Sequence, residues 1–411
     1  MSKVYTDQIE KRTGGTAMDL PSTGKWPTAN IADSIITDIA ANTAKTGITS
    51  GQASAITANT AKVTNATHTG NVTGATALTI ADDAVTAAKL AASAYLANRN
   101  RIINGNFDLW QRGTSFTGVT ATGYQADRWE VQPATGCTMT ISRQAFTAGQ
   151  TDVPYEPTYF LRTDITTAGS ANSEISQKIE DVRTFAGQTV IASFYAKSTA
   201  GTPTLNCRFH QDFGSGGSTR VTTGVTTKVL SSSWQKFTFT LALGSISGKT
   251  IGGSSYLAFN FYWANNSTSN DVDLAQVQVE AGSVATPFEF KSFGQEIAAC
   301  QRYFNKTFAY ATAPANGAGH TWVGALGWDT RITTQSANVN WQYPVAMRAL
   351  PTGTLYNTRT GGAAGQWTNG GGDSANARFL TTSETTCFID NTGTTLGAAS
   401  WGIWAAADAE I

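Results

Sequence analysis

From Pro27 to Ala94 the chain contains no Phe, Tyr or Trp, and it twice carries the phrase Ile-x-Ala-Asn-Thr-Ala-Lys, starting at Ile39 and at Ile56. The segment is mostly Ala, Thr, Asn, Ser and Gly. Ordering each backbone residue costs roughly 1–2 kcal/mol, and such side chains return little apolar area. A stretch of this kind is either a low-complexity linker or a segment that orders only against copies of itself. Isoleucine recurs at Ile35, Ile36, Ile39 and Ile56, where a helical seam needs apolar contacts. That recurrence favours a shaft wound from several identical chains.

Local signals in this segment are short. Asp33 and Ser34 can cap a helix through Ile35, Ile36 and Ile39 to about Lys45, and Gly47 can stop it in a left-handed cap. Thr49 or Ser50 can cap a second helix through Ile56 toward Lys62 and Val63. Helices of this length are marginal alone, so a parallel trimeric coiled coil interrupted by tight turns is expected. Gly70 and Gly74, with Val72, Leu78 and Ile80, suggest short intertwined strands. Asp82 and Asp83 then start a small helix through Val85 and Leu90 to Tyr95, with negative charge at the positive end of its dipole.

Beyond Asn98 the character changes. Phe, Tyr and Trp return in number, enough for real cores in a chain of 411 residues. Alternating apolar and polar positions mark strands at 189–196, 234–241, 256–263 and 272–279. Turn-forming clusters such as Gly214 to Gly217 and Asn265 to Ser267 separate such runs, as in a sandwich of antiparallel strands. The segment from Gln295 to Phe304 reads as a helix with Ile297, Cys300 and Phe304 on one face, packed on a neighbour as a connector. Another Gly- and Thr-rich β segment follows. The expected organisation is an attachment segment at 1–33, a trimeric shaft at 34–97, a β-sandwich at 98–291, a connector helix at 292–305 and a β tip at 306–411. The fold class is mainly β with a fibrous stalk.

Lys and Arg total 28, Asp and Glu total 28, and charged residues make up 14% of the chain. Without a concentrated positive patch, nucleic acid is not an expected partner. No apolar run is long enough to span a bilayer, and the first residues lack the apolar core of a signal peptide. Cys137, Cys207, Cys300 and Cys387 lie far apart without a CxxC pair, so buried free thiols are expected.

The residues Arg99-Asn100-Arg101-Ile102-Ile103-Asn104-Gly105-Asn106-Phe107-Asp108-Leu109-Trp110-Gln111-Arg112-Gly113 resemble the opening of a β-sandwich module of bacteriophage tail fibres. The likeness continues through Ala126-Asp127-Arg128-Trp129, Ile175 to Glu180, Val190 to Lys197, Gln276 to Glu289 and Cys300-Gln301-Arg302-Tyr303-Phe304. It covers about residues 98 to 305. The resemblance implies a jelly-roll sandwich similar to carbohydrate-binding modules, a homotrimer, a tail or baseplate partner for the N-terminus, and a virion appendage that touches the bacterial surface. It reaches the last hundred residues only loosely, through Tyr343 to Pro351 and Ala407 to Ile411.

Catalytic and metal chemistry is thinly represented. His68, His210 and His320 are widely separated, and no HEXXH, GxSxG or P-loop occurs, so neither a metal nor a cofactor is expected. Asp108 and Asp273 could meet where a sandwich closes, but calcium takes six or more oxygen ligands. No enzymatic activity is expected, although carboxylate pairs for glycan hydrolysis need only spatial proximity. Tryptophan stacks well on the apolar side of a pyranose. Trp129 and Trp234 fall in strand patterns and read as core. Trp367, set in a Gly-rich loop composition, reads as the best exposed contact residue, with Trp322, Trp328 and Trp341 as further candidates. A fibre held at its N-terminus presents its C-terminus outward, so host polysaccharide binding by the distal domains is expected. The alternatives are a structural tail connector without host contact and a polysaccharide depolymerase.

Overall fold

The structure is a computed structural model that describes residues 8–9, 18–19, 47, 49–63, 72–73, 79–80 and 98–411, apart from 265–270, 318–321, 331–336, 370–371, 382 and 392–398. It divides into two compact units, Met1–Lys89 and Leu90–Ile411. In the first, β1 (Gln8–Ile9) pairs with β2 (Met18–Asp19). The helix Ser50–Val63 begins where the sequence places it. Its start is a reciprocal capping box: the Thr49 N–H donates to Gln52 Oε1 at 3.0 Å, and the Gln52 N–H donates to Thr49 Oγ1 at 3.2 Å. Gly47 has φ +105°, as a left-handed cap requires. β3 (Val72–Thr73) pairs with β4 (Thr79–Ile80), so short strands form where Val72 and Ile80 suggested them. A hairpin closes so short a loop at little entropic cost. The helices expected at 35–45 and 82–95, and the turn at Asn265 to Ser267, lie outside the described residues.

In the second unit the chain from Asn98 to Arg112 is irregular. Twelve strands follow: β5 (Ser115–Val119), β6 (Gly123–Tyr124), β7 (Glu130–Gln132), β8 (Thr138–Ala145), β9 (Tyr159–Thr167), β10 (Asn172–Ile179), β11 (Thr189–Lys197), β12 (Thr204–Asp212), β13 (Val221–Val229), β14 (Gln235–Ala242), β15 (Tyr256–Ala264) and β16 (Val272–Ala281). They form two six-stranded antiparallel sheets, ordered β13-β12-β15-β10-β7-β6 and β14-β11-β16-β9-β8-β5. After β9 the chain passes from one sheet to the other at nearly every turn, the winding of a jelly roll.

Alternation determines what each strand buries. Val190, Ala192, Phe194 and Ala196 of β11 enter the core, as do Leu257, Phe259, Phe261 and Trp263 of β15. Trp129 is fully buried between Phe107 and Phe261, with ring centroids 5.1 and 6.3 Å away. Its indole N–H donates to the Asn104 carbonyl at 3.0 Å. Trp234 is not core. The inward residues of β14 are Phe237, Phe239 and Leu241, so period-two parity turns position 234 outward. There it is half-buried, with its ring 5.2 Å from those of Phe146 and Phe160 and the Lys197 amine 5.1 Å from its centroid.

The connecting helix spans Phe293–Gln301, with a capping box between Ser292 and Gln295. It ends before Phe304, which instead opens β17 (Phe304–Lys306). The remaining strands are β18 (Leu326–Thr330), β19 (Asn338–Gln342), β20 (Thr352–Tyr356), β21 (Gln366–Thr368), β22 (Asp373–Thr381), β23 (Thr386–Asn391) and β24 (Ala399–Asp408). Long β24 is the hub, pairing with β17, β18, β20 and β21. A second core gathers there around Trp367, Trp401, Ile403 and Met347. All four cysteines are buried and none forms a disulfide, and burial pushes the Cys207 and Cys300 thiols up.

Trp129→Ala should cost about 3–5 kcal/mol, through lost contacts, a residual cavity and the orphaned Asn104 carbonyl. Chemical denaturation measures this, and a change under about 1 kcal/mol would contradict the packing described.

Candidate functional site

The tryptophans singled out by sequence divide sharply. Trp367 is 0% exposed and donates its indole N–H to the Asp390 carbonyl at 3.3 Å, so it is core and not a contact residue. Its Gly-rich flanks serve the turns at either end of the three-residue strand β21, with Gly365 at φ +68°. Trp341 is also buried, edge-on to Tyr343 with centroids 5.0 Å apart. Trp328 lies in β18 with Trp401 as its Cα partner. Trp322 is 45% exposed. Its ring covers Gly402 so closely that a Cβ there would come within 2.1 Å of it.

The larger concentration of binding chemistry lies on the sandwich. Asn104, at φ +55°, ties the turn that follows it. Its Nδ2 donates to the carbonyls of Leu109 (2.8 Å) and Asp127 (3.0 Å), and its Oδ1 accepts the Leu109 N–H (2.9 Å). Gly105 must be glycine, because a Cβ would stand 2.1 Å from the Val277 carbonyl oxygen. Phe107, at φ +56°, buries its ring against Trp129. Its neighbours Asn106 and Asp108 line a cleft of about 370 Å³, with Asn106 Nδ2 donating to Asp108 Oδ2 at 2.9 Å.

Distant parts of the chain complete this cleft. Arg143 from β8 lies over the Tyr159 ring at 4.1 Å. Phe288, Phe290 and Phe293 line another side, and Phe290 and Phe293 remain 48% and 59% exposed. Tyr310 holds the turn, donating its hydroxyl to the Asp108 carbonyl at 3.2 Å and accepting the Trp110 N–H at 3.3 Å. Glu296, in the first turn of its helix, accepts the Asn104 N–H at 2.7 Å and lies 3.7 Å from the Lys291 amine.

Burial pushes the Asp108 carboxyl above its ordinary value, against the lowering effect of Asn106 and Arg143. Glu296 is likewise raised by burial, opposed by Lys291 and the Asn104 N–H, with the nearby Asp108 charge adding to the rise. Asn106 Oδ1 is buried without a hydrogen-bond partner among the described residues. Aromatic rings, one unmet acceptor and a stacked guanidinium around one open cleft suit a polyhydroxylated ring with an apolar face.

Asp108 and Asp273 do not share an ion site. Asp273 gives both oxygens to Arg162, at 2.8 Å each, with Lys197 at 4.0 Å. Among the described residues no cluster of three or more His, Cys, Asp or Glu is placed to hold a metal. The cleft residues Asn106, Arg143, Phe290, Glu296 and Tyr310 carry no role that the sequence alone assigns. The unused signal was the phrase Phe288-Glu289-Phe290-Lys291-Ser292-Phe293, which sets three phenylalanines within six residues and yet forms no strand.

No family model matches the chain, and no curated protein is similar to it. Solved structures match parts of it. The enzymatically active domain of tailspike protein 4 from bacteriophage CBA120 aligns over 45% of this chain and 22% of its own, at 15% identity and a TM-score of 0.29. The C-terminal family 22 carbohydrate-binding module of Clostridium thermocellum Xyn10B aligns over 48% of this chain and 99% of its own, at 14% identity and a TM-score of 0.30. A Stig cyclase from Fischerella sp. TAU aligns over 44% and 96%, at 11% identity and a TM-score of 0.30. At these identities and TM-scores nothing known of those proteins transfers to this chain.

The raised Asp108 pKa gives a test with a definite sign. The folded chain holds this proton to higher pH than the unfolded chain, whose carboxyl ionises near 3.8. As pH rises above that value the unfolded state ionises first, so the carboxyl costs stability at neutral pH. Asp108→Asn should therefore raise Tm at pH 7, with the gain shrinking as pH falls toward 3.8. A lower Tm at pH 7 would contradict this.

Proposed function

We propose that the chain is a non-enzymatic, homotrimeric fibre of a bacteriophage tail that attaches to a host surface by binding polysaccharide. The resemblance of residues 98 to 305 to tail-fibre modules supports the fibre, and the self-complementary composition of the shaft supports the trimer. In the single-chain helix Ser50–Val63, Ile56 is 52% exposed, an apolar side chain that a second and third copy would cover. The observation that carries polysaccharide binding is the cleft, where Asn106, Asp108 and Arg143 face Phe288, Phe290 and Phe293.

This reading moves recognition from the C-terminal sheet to the sandwich. Deleting residues 306–411 would strip Glu410 from the buried guanidinium of Arg128 and so confound loss of recognition with loss of structure. Point variants are the cleaner test. Phe290→Ala and Arg143→Ala should each weaken attachment to host cells or their polysaccharide by about 1–2 kcal/mol, without lowering Tm. Unchanged attachment in both, with loss in Trp322→Ala, would place the receptor site on the C-terminal sheet. Loss of particle assembly with attachment unchanged would favour the connector.

The shared cleft of Asp108 and Glu296 favours a second reading, glycan hydrolysis. Glu296 is held by the Asn104 N–H and lies beside Lys291, which suits a positioning role better than proton donation. New reducing ends after incubation with host polysaccharide would establish the hydrolase.

A peptide of residues 31 to 90 should be unfolded at low concentration and gain helical circular dichroism as concentration rises. Helicity independent of concentration would contradict the trimeric shaft.

A further inference from the structure

Gln276 stands where β16 departs from regular pairing. The register of β11 against β16 slips between Ser193 and Tyr195. Gln276 itself takes φ +47°, a left-handed conformation unfavourable for a side chain of this kind. The residue is 2% exposed. Its Nε2 donates to the Pro154 carbonyl at 2.7 Å. A carbonyl oxygen only accepts, so the amide nitrogen must face Pro154 and the amide oxygen must face away. That oxygen, Oε1, is buried and has no hydrogen-bond partner among the described residues. A buried acceptor left unmet is unfavourable and is rare in native proteins.

Gln276 borders a pocket of about 200 Å³, walled also by Tyr155, Tyr195, Pro287 and Phe288. Phe288 lines the larger cleft as well, so the two spaces share a wall. Tyr155 is 59% exposed and sits edge-on to Phe290, with centroids 5.9 Å apart, which continues the aromatic surface from one space to the other. The pocket therefore sets the unmet amide of Gln276 beside rings and apolar groups, together with the polar residues Ser193 and Lys236.

We propose that this pocket is a second saccharide subsite, adjoining the cleft, in which Gln276 Oε1 accepts a hydrogen bond from the acetamido N–H of an N-acetylhexosamine. The acetamido methyl packs against Pro287 and Phe288, and Tyr155 covers the ring. The subsite rests on the reading of the cleft as a glycan site and extends it to a second sugar of stated chemistry.

The test is titration of the full chain with N-acetylglucosamine and, in parallel, with glucose, by calorimetry or ligand-observed NMR. N-acetylglucosamine should bind more tightly than glucose. Gln276→Asn suits the left-handed backbone but withdraws the acceptor, and should weaken N-acetylglucosamine binding about tenfold. Tyr155→Asn, at an exposed left-handed position, should weaken it similarly and carries the test if the Gln276 variant does not fold. Absence of N-acetylglucosamine binding, equal binding of glucose, or indifference to both Gln276→Asn and Tyr155→Asn overturns the subsite. Polysaccharide binding that responds to Phe290→Ala but not to Gln276→Asn would overturn the subsite while leaving the cleft intact.

Discussion

The side chain of Asn104 is the constraint on which the sandwich and its cleft both depend. Its amide closes the turn from Asn104 to Leu109 on both sides, and its backbone carbonyl receives the indole N–H of Trp129. Its backbone N–H is taken by Glu296, which fixes the connecting helix against the same turn. One residue in a left-handed conformation thus sets core, helix and cleft-lining loop together. Asparagine suits the position because it tolerates positive φ better than most side chains and carries both a donor and an acceptor. Displacing it would move Phe107 off Trp129 and Asp108 out of the cleft in the same step.

A second junction makes the sandwich and the C-terminal sheet one compact unit. Arg128, 1% exposed, lies with its guanidinium 3.3 Å from the centre of the Tyr303 ring, pairs with Glu410 and donates to the Lys178 carbonyl. Arg112 pairs with Asp408 and Glu410 and lies 3.7 Å from the centre of the Phe304 ring. The Lys306 amine donates to the carbonyls of Gln111, Tyr310 and Thr312, at 2.6, 2.8 and 2.6 Å. Buried charges of this kind are tolerable only when every partner is in place. The C-terminal sheet therefore acts on the sandwich as a structural clamp, and Tyr310, which it carries, reaches the cleft.

The regular part of this fold was legible because burial imposes a period on sequence. The strands at 189–197 and 256–264 follow from alternating apolar side chains, and the helix from Ser50 follows from the cap that Thr49 supplies. Irregular structure has no such period. The turn at Asn104 is held by side-chain amide hydrogen bonds, which leave no pattern in spacing. Composition misled at Trp367, where glycines that suggested an open loop serve a short buried strand. At Trp234 the strand was right, but parity placed the ring outside. The cleft was hidden for a different reason: Asn106, Asp108, Arg143, Phe290, Glu296 and Tyr310 come from separate elements and meet only in three dimensions.

Glycan recognition, as proposed, is a property of the loop that Asn104 organises. Diffraction from crystals of the protein grown with oligosaccharides cut from a host surface polysaccharide tests this most directly. A sugar ring seated between Asp108 and Phe290, within hydrogen-bond reach of Asn106 Oδ1, is the predicted result. An oligosaccharide bound instead over Trp322, with the cleft at Asn106 and Asp108 carrying none, would contradict it.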